Sequence, residues 1–124
     1  MKILLMIALG GALGALARYG MAQGVHMFLP RNFPYGTLVV NVSGALIMGF
    51  LSVLLIERLP ENGMLRGLLL VGFLGAYTTF STFSFETLML FENGEIIRAL
   101  LNISLSLVLC LAAVWAGVLI GRGL

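Results

Sequence analysis

The sequence predicts an all-α integral membrane protein: one membrane domain spanning residues 1–124, with four transmembrane helices and the third broken near its middle. Three observations carry this. Hydrophobic residues make up 60% of the 124 and charged ones only 10%, with a mean hydropathy of +1.11, which leaves too little polar surface for a water-soluble domain. Four long apolar segments are each near the roughly 20 residues that cross a bilayer. The third is interrupted by a polar run, Gly75-Ala76-Tyr77-Thr78-Thr79-Phe80-Ser81-Thr82-Phe83-Ser84.

The first apolar segment runs from Ile3 to Met21. Lys2 and the small residues Ala15 and Ala17 resemble a secretory signal and its cleavage site, but Arg18 follows at once. The segment is therefore expected to stay as a first span. The second span runs from Gly36 to Ile56, after a connection with two prolines, Pro30 and Pro34. The third runs from Leu65 to Phe91, after the charged, turn-rich Glu57–Gly63 stretch. A very short link, Glu92-Asn93-Gly94-Glu95, leads to the fourth span, Ile96 to Ile120, and makes the last two helices antiparallel neighbours.

Small residues recur at packing intervals: Gly10 with Gly14, Gly11 with Ala15, Ala45 with Gly49, and Ala113, Gly117 and Gly121. Such spacing lets helix backbones approach closely where lipid removes the hydrophobic drive, within the chain or between copies. Basic residues near the span ends do not choose an orientation. Lys2, Arg58, Arg66 and Arg122 fall on one side, and Arg18, Arg31 and Arg98 on the other. The simplest physical reading is that copies insert both ways, as an antiparallel homodimer. A net charge of +2 from seven basic and five acidic side chains signals no nucleic-acid partner. The single cysteine, Cys110, excludes an intrachain disulfide.

Within the interrupted span, Thr-Phe-Ser occurs twice in succession, so like residues lie within about 60° of each other around a helix. Phe80 and Phe83 then share a face, as do Thr79 with Thr82 and Ser81 with Ser84. Gly75 is where the backbone is expected to leave regular helix. Broken backbone in hydrocarbon is tolerated only where it is buried in protein or lines a cavity. Hydroxyls and paired phenyl rings beside a break read as a permeation or binding site, since ring edges hold a small anion without trapping it.

Other polar groups lie inside the spans. Asn41 on the second span, and Asn102 with Ser106 on the fourth, read as path-lining groups, because amides are hard to satisfy locally. Ser43, Ser52 and Ser104 read as hydrogen-bonding glue between helices. Arg18 and Glu86 come late in two spans that run the same way, so both belong near the same face. They form either a charged vestibule or a structural ion pair. His26 is placed at the first loop and Tyr77 beside the break. No nucleophile with a base, metal-ligand spacing or phosphate-cradling loop occurs, and an enzyme is not expected.

Three segments together resemble the CrcB/Fluc family of fluoride channels. They are Gly10-Gly11-Ala12-Leu13-Gly14-Ala15 with Arg18-Tyr19; Pro34-Tyr35-Gly36-Thr37-Leu38 with Asn41; and Gly72-Phe73-Leu74-Gly75, then Thr78 to Ser84 and Glu86. The resemblance implies a dual-topology homodimer in the lipid of the bacterial inner membrane, passively exporting fluoride through two antiparallel pores. It implies that Phe80 and Phe83 present ring edges to fluoride and that Asn41 donates a hydrogen bond to it. It places Thr82, Asn102 and Ser106 along the pore, and Arg18 and Glu86 in the vestibule. A structural sodium ion at the dimer two-fold would be held by the backbone carbonyls of Gly75 and Thr78. Asn102 stands where some relatives carry tyrosine, and Cys110 where some carry serine. One alternative is a small multidrug-type proton-coupled antiporter, which would want a carboxylate central in its first span; this span carries Arg18 instead. Another is a non-transporting assembly subunit whose polar groups act only as glue between helices.

Overall fold

The computed structural model describes residues 1–124 as five helices and short connections. Helix α1 is Lys2–Phe28 and α2 is Tyr35–Arg58, the last six residues of α2 wound in wider π-type turns. The third apolar stretch, Gly63–Glu92, is two helices, α3 (residues 63–77) and α4 (Phe80–Glu92). Helix α5 is Ile96–Gly123. The four long apolar segments are therefore all helical, and one of them is bent near its middle.

The helices outrun the apolar segments that predict them, because hydropathy marks the hydrocarbon and not the end of the backbone ladder. Thus α1 continues past Met21 through Gln23 and His26 to Phe28. His26 lies in the last turn of a helix and not in a loop. The connection between α4 and α5 turns at Gly94, whose φ of 78° is the one positive value in the chain and suits glycine's lack of a Cβ.

Two helix pairs dominate: α2 lies along α5, and α1 along α3. The small-residue stripes make these seams. A Cβ on Gly10 would land on the Leu68 carbonyl, and one on Gly14 on the Phe73 carbonyl, both in α3. Gly49 abuts the Val114 carbonyl of α5, and Gly117 abuts the Leu46 carbonyl of α2, so this pair is reciprocal. The close approaches expected of the stripes are thus used inside the chain. Gly11 is the exception, with only a distant neighbour in Gly72.

A small core of Val40, Leu55, Leu70, Leu74 and Tyr77 sits where α2 meets α3. Only 25 of 124 residues are buried, and most large apolar side chains point outward from the single chain. Such a surface belongs in lipid or against another apolar surface.

The seams predict a paired outcome. Gly117→Ala pushes a methyl into the Leu46 backbone and is expected to cost about 1–3 kcal/mol. Gly24→Ala, where no atom lies within 4 Å, is expected to be neutral or stabilising by up to about 1 kcal/mol. Reversible unfolding in mixed micelles, followed by circular dichroism, measures both.

Candidate functional site

The site is built around the break between α3 and α4. Helix α3, wound in wider π-type turns over Gly67–Leu74, keeps helical dihedrals through Gly75 (φ −61°, ψ −36°). The departure comes at Thr78 (φ −80°, ψ 154°) and Thr79 (φ −149°, ψ 117°), both extended. The expectation that Gly75 opens the break is therefore corrected by three residues. Nothing crowds Gly75: a Cβ there would meet only the Leu70 carbonyl, at an ordinary 3.7 Å.

What holds the chain open is Asn41 of α2. The Thr79 N–H donates to Asn41 Oδ1 at 2.8 Å, and Asn41 Nδ2 donates to the Thr79 carbonyl at 3.0 Å. One side-chain amide thus takes both backbone groups that a continuous helix would have paired. The arrangement fixes which way the amide points, since the N–H must face oxygen and the carbonyl must face nitrogen. It also leaves the second Nδ2 hydrogen free.

The neighbouring hydroxyls close the two helix ends. Thr78 Oγ1 donates to the Leu74 carbonyl at 2.9 Å. Thr79 Oγ1 caps α4 by accepting from the Thr82 N–H at 3.2 Å. Tyr77 bonds across to α2, its hydroxyl 2.9 Å from Ser43 Oγ, with its ring stacked on Phe73. Ser43 is glue, as its sequence context suggests.

A groove of about 400 Å³ opens beside the break. It brings together Asn41, Thr78, Phe80, Phe83 and Ser106, with Cys110 further along α5. The two phenyl rings sit 5.4 Å apart at 47°. Phe83 is buried, whereas Phe80 is 74% exposed and projects from the single chain. No lining residue carries a charge. Helix α4 begins at this wall, and a helix start is the positive end of its dipole.

Asn102 is not on the groove wall. It is buried and donates to Thr87 Oγ1 at 2.9 Å, while Thr87 Oγ1 donates to the Phe83 carbonyl at 2.7 Å. Ser106 donates to Asn102 Oδ1 at 3.5 Å, the outer limit for such a bond, so its hydrogen is easily redirected. Thr87 is the residue that sequence reasoning missed. Its position four residues after Phe83, facing the Asn102 stripe, was the available signal.

Arg18 and Glu86 are not brought together. Arg18 shares a cavity of about 200 Å³ with Thr82 and Thr79. Glu86 lines a separate one of about 260 Å³ with His26 and Arg31. The ion pairs in the chain are Arg98–Glu95 and Arg122–Glu57, each at 2.7 Å, so the Arg18–Glu86 pair does not form. Thr79 lines both the groove and the Arg18 cavity, which makes the break the wall between them.

A family model described as CrcB-like protein, Camphor Resistance (CrcB), matches residues 5–118. The chain belongs to the CrcB family. A relative from Methylococcus capsulatus is 59% identical over 118 residues, 95% of this chain and 52% of its own length. One from Coxiella burnetii is 51% identical over 121 residues, covering 97% of this chain and 98% of the relative. One from Geobacter metallireducens is 48% identical over the full length of both chains. Each of the three is named "Fluoride-specific ion channel FluC". The chain spans about half the length of the Methylococcus relative and nearly all of the other two. Relatives named as ion channels agree with the expectation that the chain is not an enzyme and give the proton-coupled antiporter reading no support. The chain's first helix also holds no carboxylate that could couple protons.

The clamp predicts a graded loss. Asn41→Leu leaves the Thr79 N–H and C=O unpaired and is expected to cost roughly 2–6 kcal/mol, about 1–3 for each group. Asn41→Asp keeps the acceptor and is expected to lose less. Unfolding titrations in mixed micelles, with amide exchange at Thr79 rising most in Asn41→Leu, check the order.

Proposed function

We propose that this chain is a fluoride-specific channel, letting fluoride leave a bacterial cytoplasm passively across the inner membrane. One observation carries the reading. The groove at the break is uncharged yet its lining includes hydrogen-bond donors. They are the free Nδ2 hydrogen of Asn41, the loosely held hydroxyl of Ser106, the edges of Phe80 and Phe83, and the start of α4. A compact, strongly hydrated anion must have its water replaced on entry, and must still be able to leave. Fixed dipoles and C–H edges meet both needs where a lysine would trap the ion.

The side chains divide the work accordingly. Asn41 holds the break open with one acceptor and one donor position and spends its second Nδ2 hydrogen on the ion. Ser106 turns its hydrogen from Asn102 to the ion, and Asn102, itself fixed by Thr87, takes the hydroxyl back afterwards. Asn102 supports the path from behind. Thr82 and Arg18 lie across the break from the rings, so Arg18 draws anions to an approach and not to the groove itself. Glu86 modulates a second approach from its own cavity.

The functional unit in this reading is an antiparallel homodimer. It is supported by basic residues balanced at the two ends, by the outward Phe80 and by the apolar surface that a single small bundle leaves uncovered. A sodium ion at the two-fold fits the residues present. The break releases last-turn carbonyls of α3 from intrahelical bonding, and Gly75 is exposed and Thr78 half-buried on the outward side. Carbonyl oxygens suit a hard cation, and the carbonyls of Gly75 and Thr78 would hold it, supplying local positive charge and tying the two breaks together.

Proteoliposomes loaded with fluoride and chloride test the reading. Valinomycin-dependent fluoride efflux without chloride loss is expected. Phe83→Leu is expected to slow it at least about tenfold, or about 1.4 kcal/mol in the barrier. Unchanged efflux in Phe83→Leu would mean that the rings only pack.

A further inference from the structure

Away from the groove, two side-chain atoms are buried without a hydrogen-bond partner: His26 Nδ1 and Glu86 Oε1. Both residues line the same cavity, beside the loop that joins α1 to α2. Buried polar atoms are nearly always paired, so two orphans on residues that line one cavity call for an explanation.

The other face of the histidine ring is committed. The Gly36 N–H donates to His26 Nε2 at 3.2 Å. Gly36 is in the first turn of α2, where backbone N–H groups have no intrahelical acceptor, so the imidazole is a cap reaching over from α1. Glycine leaves room for this docking: a Cβ at position 36 would lie 3.0 Å from the ring's Cδ2 and Nε2, tight enough that the ring would have to shift. A ring nitrogen that accepts carries no proton, so the proton sits on Nδ1 and the ring is neutral. The orphans are then complementary: His26 Nδ1–H is a donor and Glu86 Oε1 an acceptor.

We infer that His26 is a positioning residue: its neutral, Nδ1-protonated imidazole seats the start of α2, and with it the Asn41 clamp, and protonation unseats it. An imidazolium has N–H on both nitrogens, so Nε2 no longer accepts and two donors oppose each other at Gly36. The groups around the cavity favour the same movement. Glu86 on α4 attracts the new cation towards itself and away from Gly36. Arg31 in the loop repels it, although its guanidinium is engaged with Gln23 Oε1 at 3.2 Å. The remaining polar lining, Asn32 and Asn93, is neutral. Asn41 lies on the same helix as Gly36, so loosening this end relaxes the contact that keeps Thr79 extended.

The flux consequence rests on the channel reading; the tautomer does not, and the test separates them. His26 is the single histidine, so ¹⁵N-imidazole-labelled protein in nanodiscs gives one pair of ring signals. The expected result is protonated Nδ1 and bare Nε2 at high pH. On acidification, over the range of about pH 8 to 5 where histidines titrate, amide exchange at Thr79 should quicken. Over the same range fluoride efflux, corrected with protein-free vesicles, should fall about tenfold. In His26→Gln, whose carbonyl accepts at any pH, the ratio of the two rates should approach one. A proton on Nε2 at high pH, or the same pH ratio in the parent chain and His26→Gln, would overturn the assignment. If no fluoride moves at any pH, the channel reading fails, and the ring spectrum and Thr79 exchange still decide the role of His26.

Discussion

The side-chain amide of Asn41 against the backbone of Thr79 is the contact on which the rest of the site depends. Both partners of Thr79 come from it, at 2.8 and 3.0 Å, in a setting where an unpaired backbone group has no water to turn to. Because the amide satisfies the N–H and the C=O together, the third apolar stretch can stop being a helix at depth. Everything useful follows from that stop: α4 begins inside the bundle, Phe80 and Phe83 fall on its first turn, and the last carbonyls of α3 are released.

The clamp works only if α2 is held at a fixed height. Three sets of contacts do this. Gly49 and Gly117 let α2 and α5 touch backbone to backbone, which fixes Ser106 and Cys110 opposite Asn41. Ser43 ties α2 to Tyr77 at the end of α3. His26 holds the first turn through Gly36. The glycine seams and the polar contacts are thus parts of one device, in which close helix approach sets the distances that hydrogen bonds then use.

The placement of charge follows the same economy. The groove has none, and Arg18 and Glu86 line separate cavities, one at the start of α4 and one along its later turns. An ion pair between them would cancel both fields. Kept apart, each retains its own field, while the groove carries only dipoles fixed by the fold. This is why the polar chain Phe83 carbonyl, Thr87, Asn102, Ser106 matters: every member but the last is tightly bonded, leaving the adjustable hydroxyl next to the cavity.

The sequence by itself determined the number and identity of the apolar segments, the interruption of the third, the pairing of Phe80 with Phe83 and the family. All of these are local: length of apolar run, spacing around a helix, and motif order are read along the chain. It also named Asn41, although not the backbone atoms that Asn41 engages. Only the tertiary structure decided that the break falls at Thr78 and Thr79 and not at Gly75, because the clamp comes from 38 residues away. The same is true of the separation of Arg18 from Glu86, the burial of Asn102 against Thr87 and the seating of His26 on Gly36. Each is a contact between helices, set by rotation and height about axes that periodicity alone leaves free. In a chain this apolar, those two quantities are fixed by where glycines let backbones meet.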